Sequence, residues 1–97
     1  MESFNKLTPA EDERLAILLE ELGESIQCIG KIQRHSYEGF HPEFPEQGSN
    51  RDRLMEELGH VQAAIQLMCH AHDLEDFKIG IHKHNKLINV RKYLHHQ

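Results

Sequence analysis

Two short acidic clusters are the parts of this sequence best equipped for chemistry: Glu20-Glu21-Leu22-Gly23-Glu24 and Glu56-Glu57-Leu58-Gly59-His60. They share the string Glu-Glu-Leu-Gly, which Glu follows in the first and His in the second. On a helix, positions i and i+3 lie on one side. Glu21 with Glu24, and Glu57 with His60, each therefore offer two ligand atoms to a neighbour. Carboxylates crowded between two such helices repel one another unless a divalent cation lies among them. One cluster alone is ordinarily a solvated face, because Glu is a good helix former. Two matching clusters, with Glu21 and Glu57 thirty-six residues apart, point to shared chemistry. Cations held by carboxylates bridge phosphate oxygens and polarise a phosphorus centre. Lysine and arginine supply the remaining charge on a polyphosphate.

The elements that must position these clusters read as helices. Thr8-Pro9-Ala10-Glu11 is a helix start, with Thr8 as cap, Pro9 in the first turn and Glu11 completing a capping box. Leu15, Leu18, Leu19, Leu22, Ile26 and Ile29 recur at helical spacing as an expected core stripe. On the opposite side Ile17, Glu21, Glu24 and Cys28 form a second stripe, which predicts a helix contacted on two sides with its acids partly enclosed. Residues 36–49, with two Pro and two Gly, predict an irregular loop anchored by Phe40 and Phe44. A second helix is expected over about 50–72, capped by Ser49 or Asn50, with Leu54, Leu58, Val61, Ile65 and Met68 inward. A third is expected over about 74–92, after a turn in which Asp73 caps, with Phe77, Ile81, His84 and Ile88 inward. The reading is one all-α domain spanning residues 1–97, a small antiparallel helical bundle.

Composition bounds the rest. The chain has 97 residues, 38% of them apolar, and no Trp. That predicts a thin core and self-association. A net charge of -5 argues against nucleic acid or an anionic membrane as partner. All sixteen acidic residues lie at or before Asp76, so Lys78, Lys83, Lys86, Arg91 and Lys92 form a basic segment suited to an anionic ligand. No apolar run is long enough to span a membrane, and the amino terminus lacks a signal-peptide pattern. Cys28 and Cys69, with no CxxC pair, read as buried thiols in a reducing compartment, so a cytoplasmic location is expected. The remaining histidines read as surface or interior groups, His95-His96 making a poor zinc site.

Glu20-Glu21-x-x-Glu24, then Glu57-x-x-His60, then the Asn85-Lys86 region, in that order, resemble the MazG-like branch of the all-α nucleoside triphosphate pyrophosphohydrolases. The resemblance runs from Leu15 to Arg91 and is nearest to short single-module members encoded by bacteriophages, whose place of action would be the host cytoplasm. It implies hydrolysis of a (deoxy)nucleoside triphosphate to the monophosphate and pyrophosphate, with Mg2+ or Mn2+, in a dimer or tetramer. Carried over by position, Glu20, Glu21 and Glu24 would be the catalytic acids, and Glu21, Glu24, Glu57 and His60 the metal ligands. Glu20 and Glu56 would orient a ligand or water. Lys31, Arg34, Asn85 and Lys86 would contact phosphate. The family's second motif ends in Asp where this chain has His60. Three readings stay open there: a Mn2+-preferring site, a histidine that contacts substrate, or a weakened site in a nucleotide- or protein-binding relative. A phosphoribosyl-ATP pyrophosphohydrolase is a further alternative, although no residue is evident that would read the extra ribosyl phosphate.

Overall fold

The computed structural model describes residues 4–97. Residues 1–3 belong to the expected domain and to the amino-terminal stretch read for a signal pattern; they lie outside the described residues. Three helices make up most of the chain: α1 (Pro9–His35), α2 (Asn50–His70) and α3 (Asp76–Asn89). Two short 3-10 turns, Pro45–Gln47 and Val90–Tyr93, complete the regular structure. The all-α expectation holds: the described residues contain no β-strand, only an isolated bridge between Phe40 and Ser49. α1 starts with the capping box expected of it, Thr8 N–H donating to Glu11 Oε1 at 2.9 Å and Glu11 N–H to Thr8 Oγ1 at 3.1 Å. Ser49 caps α2 in the same way, paired with Asp52. α2 ends at His70, two residues before the expected end. The third helix gives way to the Val90–Tyr93 turn instead of continuing to 92.

α1 and α2 form a hairpin. Its residue pairs descend along one helix as they climb the other: Arg14 with Asp73, Glu21 with His60, and Ser36 with Asn50. The helices are therefore antiparallel. Small side chains let them approach: Ser25 and Cys28 on α1, Ala64 on α2, with Met68 and Glu57 also buried. The Ser25 hydroxyl donates to the Glu21 carbonyl at 2.9 Å, so its burial leaves no donor stranded.

This packing reverses an expectation. The stripe of Leu15, Leu19, Leu22, Ile26 and Ile29 faces outward, with Leu19 74% and Ile26 69% exposed, and only Leu18 half-buried. The face that meets α2 is the one carrying Glu21, Glu24, Ser25 and Cys28. On α2, Leu58 is likewise exposed, Leu54, Val61 and Ile65 are half-buried, and of the expected stripe only Met68 is buried. Phe77, Ile81, His84 and Ile88 of α3 are all exposed, and so are Phe40 and Phe44 of the loop. The reason is geometric. A two-helix hairpin has one interface, and here the narrow, acid-bearing faces occupy it.

The consequence shows in the dimensions. The accessible surface is 8330 Å², whereas a folded monomer of 11.3 kDa exposes about 5,700 Å². The radius of gyration is 17.0 Å, against about 12.5 Å for a compact domain of this length.

The connecting loop is tied down at both ends. Asn50 and Arg51 N–H donate to the Gly39 and Tyr37 carbonyls at 2.7 and 2.9 Å. Asn50 Nδ2 donates to the Ser36 carbonyl, and Arg51 pairs with Glu38 while lying 4.3 Å from the Tyr37 ring centroid. Gly39 is required because a Cβ there would collide with the His35 carbonyl. Gly48 turns with φ of +87°, a left-handed conformation that glycine adopts without strain.

Candidate metal centre

Midway along the hairpin, Glu21 and Glu24 of α1 face Glu57 and His60 of α2. One ligand atom from each of these four side chains lies within 4.8 Å of all the others. Glu57 is buried, Glu21 and Glu24 are half-buried, and His60 is open to solvent on one side. His60 Nδ1 sits 3.3 Å from Glu21 Oε2 and 3.4 Å from Glu57 Oε2. Those distances give charge attraction without an aligned hydrogen bond, and both oxygens are buried with no hydrogen-bond donor.

Proton affinities reflect the crowding. The Glu24 carboxyl is pushed up, first by a hydrogen bond with Glu57, then by the Glu57 charge and by burial. His60 and Arg53 pull it the other way but do not prevail. For His60, burial lowers the proton affinity, yet contact with Glu57 and the charges of Glu21, Glu57 and Glu56 outweigh it and leave the imidazole easier to protonate. Cys28, one turn from Glu24, is pushed up by burial and by the Glu57 charge, so its thiol stays protonated and inert.

The arrangement fits a divalent cation. Oxygen ligands lie about 2.1 Å from Mg2+, which places opposed ligands about 4.2 Å apart; the 4.8 Å limit is within side-chain adjustment of that. Two buried carboxylate oxygens without donors are what an ion would satisfy.

The other expected site residues divide into two groups. Lys31 and Arg34 line a cavity of about 460 Å³ on the loop side of the cluster, together with Cys28, Phe40, His41 and Arg53. Asn85 and Lys86 sit on α3, exposed, and belong neither to the cluster nor to the lining of that cavity. The single chain thus does not gather the expected phosphate contacts into one place. Glu20 and Glu56 are exposed and are not among the four converging ligands. The charge of Glu56 raises the proton affinity of His60.

Sequence reasoning passed over Arg53. It lies one turn before Glu57, and a signal was present: a cation at i−4 from a ligand stands on the same helix side. It also gave Asp73 a capping role. Asp73 instead takes both its oxygens to Arg14, at 2.6 and 3.0 Å, and α3 has no side-chain cap.

No family model, no curated protein and no solved structure matches this chain.

Proposed function

We propose that this chain is a metal-dependent nucleoside triphosphate pyrophosphohydrolase that acts as a homo-oligomer, converting a (deoxy)nucleoside triphosphate and water to the monophosphate and pyrophosphate. The reading is carried by the convergence of Glu21, Glu24, Glu57 and His60 on one small volume. Mg2+ or Mn2+ bound there supplies Lewis-acid polarisation of a phosphoryl oxygen. The three glutamates hold the ion, and His60 provides a neutral nitrogen that suits Mn2+. The hairpin excludes water from the Glu57 side while His60 leaves the opposite side open for substrate. The cations beside the cluster on the loop side are placed to neutralise a phosphate chain.

The oligomer is part of the same reading. The surface beyond what a compact monomer exposes is of the order that obligate interfaces bury, and Leu19, Leu22, Ile26 and Ile29 form a continuous stripe fit for a second copy of α1. Sedimentation should show a dimer or tetramer. Lysines at both Leu19 and Ile26 should give a monomer without a cooperative melt.

The deciding experiment is product analysis. Purified protein with Mg2+ or Mn2+ and each nucleoside triphosphate should release pyrophosphate, and orthophosphate as first product would rule the reading out. A second reading is favoured by one observation, the His60 contact with Glu21 and Glu57. A protonated imidazole can serve as counter-ion in place of a metal, making the chain a non-catalytic nucleotide- or protein-binding module. Calorimetry with Mn2+ separates the two: the enzyme binds the ion, and the inert module, whose imidazole already supplies the counter-charge, does not.

A further inference from the structure

Three features outside the metal cluster stand out: the cavity at the loop end of the hairpin, the exposed apolar stripe, and a shallow recess between α2 and α3. The stripe belongs to the assembly already proposed. The recess, lined by Gln62, Cys69, His70 and Lys83 among others, mixes polar groups without a consistent charge. The cavity does have a consistent charge.

Its lining contains three permanent cations, Lys31, Arg34 and Arg53, and two histidines, His35 and His41, with no acidic side chain among them. Cations gathered in a concavity without a counter-charge repel, and an anion relieves that repulsion. Arg53 is the sharpest sign. Its Nη1 donates to Gln47 Oε1 at 2.9 Å, which fixes the guanidinium against the Pro45–Gln47 turn. Its Nε is buried and has no acceptor. A buried donor without a partner costs free energy comparable to a lost hydrogen bond, and Arg53 is among the residues that line the cavity.

The cavity also adjoins the metal cluster. Cys28 lines it, and the Cys28 thiol feels the charges of Glu24 and Glu57 together with those of Arg53 and Lys31. Arg53 in turn acts on the Glu24 carboxyl. One turn of helix therefore separates the acidic cluster from the basic cavity, Glu24 from Cys28 on α1 and Glu57 from Arg53 on α2.

We infer that this cavity is the subsite for the two terminal phosphates of the substrate, and hence for the pyrophosphate product, with Arg53 and Lys31 as its principal donors. The inference rests on the pyrophosphohydrolase reading for the identity of the substrate. A diphosphate carries several negative charges in a small volume and matches three cations. A neutral base placed there would leave those cations uncompensated. The monophosphate end then lies at the cluster and on its open His60 side, away from the loop.

The test uses inorganic diphosphate, orthophosphate and a nucleoside monophosphate as probes of the full-length protein, by calorimetry at constant Mn2+. The wild type should bind diphosphate more tightly than orthophosphate. Arg53→Met should weaken diphosphate binding about tenfold or more, the loss expected for a charge-assisted hydrogen bond, and leave monophosphate and Mn2+ affinities within about twofold. Lys31→Met, at an exposed position where folding is not in question, should act in the same direction. Diphosphate affinity unchanged in both variants overturns the subsite while leaving the enzymatic reading intact. Equal losses for diphosphate and monophosphate overturn it as well. Diphosphate binding that depends on Arg53, in a protein that turns over no nucleotide, upholds the cavity as a diphosphate site and sinks the enzyme.

Discussion

Two groups of acidic side chains bridge the same pair of chain segments and end up in opposite states. At one end of the hairpin, Asp73 in the turn after α2 meets Arg14 of α1 in a two-pronged ion pair. The guanidinium's hydrogen bonds hold the Asp73 carboxyl below its ordinary range, and Asp73 in turn holds Arg14 above its own. About two turns further along α1, Glu21 and Glu24 meet Glu57 with only a histidine to offset them. There a carboxyl is pushed up and two buried oxygens lack donors. The first group is complete as it stands and needs nothing from outside. The second lacks positive charge, and structure of that kind is retained where a ligand supplies it.

The contrast can be broken most forcefully at Glu24. Removing one carboxylate from the cluster should lower Mn2+ affinity about 100-fold or more, beyond what the loss of a mere orienting group costs, and should abolish turnover. Calorimetry and pyrophosphate release measure the two losses, while circular dichroism of Glu24→Gln should match the wild type. Wild-type turnover in that variant would remove the cluster from the mechanism.

A smaller and more diagnostic effect is expected at Glu57. Because the Glu24 carboxyl is raised in the folded chain, the folded state holds this proton more tightly than the unfolded one. The contribution of this group to stability is thus fully present in acid and is lost as pH rises through the raised value. Glu57→Gln removes the repelling charge and supplies an amide donor. Without metal, its melting temperature at neutral pH should exceed that of the wild type by at least about 4 °C, and the two proteins should converge near pH 4. Saturating Mn2+ should reverse the order, since only the wild type gains from the ion. A variant less stable than the wild type at neutral pH would show the cluster to be satisfied without any ion.

How much of this was legible in the sequence follows the same division. Local signals held: Thr8, Pro9 and Glu11 start α1 where expected, Ser49 caps α2, and Pro42, Pro45 and Gly48 break the chain between. The four residues of the cluster were legible because i, i+3 spacing fixes a helix side without reference to anything else. What periodicity could not reveal is which side of an amphipathic helix meets its own chain. The Leu15 to Ile29 stripe reads as core by every intramolecular rule, yet in the single chain it faces outward, while Ser25, Cys28 and Ala64 make the interface. The apolar stripe and the small-residue stripe are both burial signals, and choosing between them needs knowledge of how many copies share the core. Arg53 and the Arg14–Asp73 pair were missed for a related reason: their roles depend on partners 6 and 59 positions away, a pairing no local pattern encodes.

The Arg14–Asp73 pair should give the smallest effect and the cleanest sign. Asp73 has its proton affinity lowered on folding, so its contribution to stability is present in full above the ordinary carboxylate range and is lost as pH falls through the lowered value. Arg14→Met keeps the apolar stem and removes the charge. At pH 7 the variant should melt roughly 2–5 °C below the wild type, a modest loss because the pair is in part open to solvent. As pH falls from about 5 towards 1 the gap should close, since protonated Asp73 no longer rewards the guanidinium. Mn2+ binding and turnover should be untouched, because the pair lies outside the cluster and carries no orphaned group. A gap that persisted in acid would show that Arg14 acts through packing alone. A change in Mn2+ affinity would show that the completed pair and the incomplete cluster are mechanically coupled through α1, and that the two ends of the hairpin are not independent.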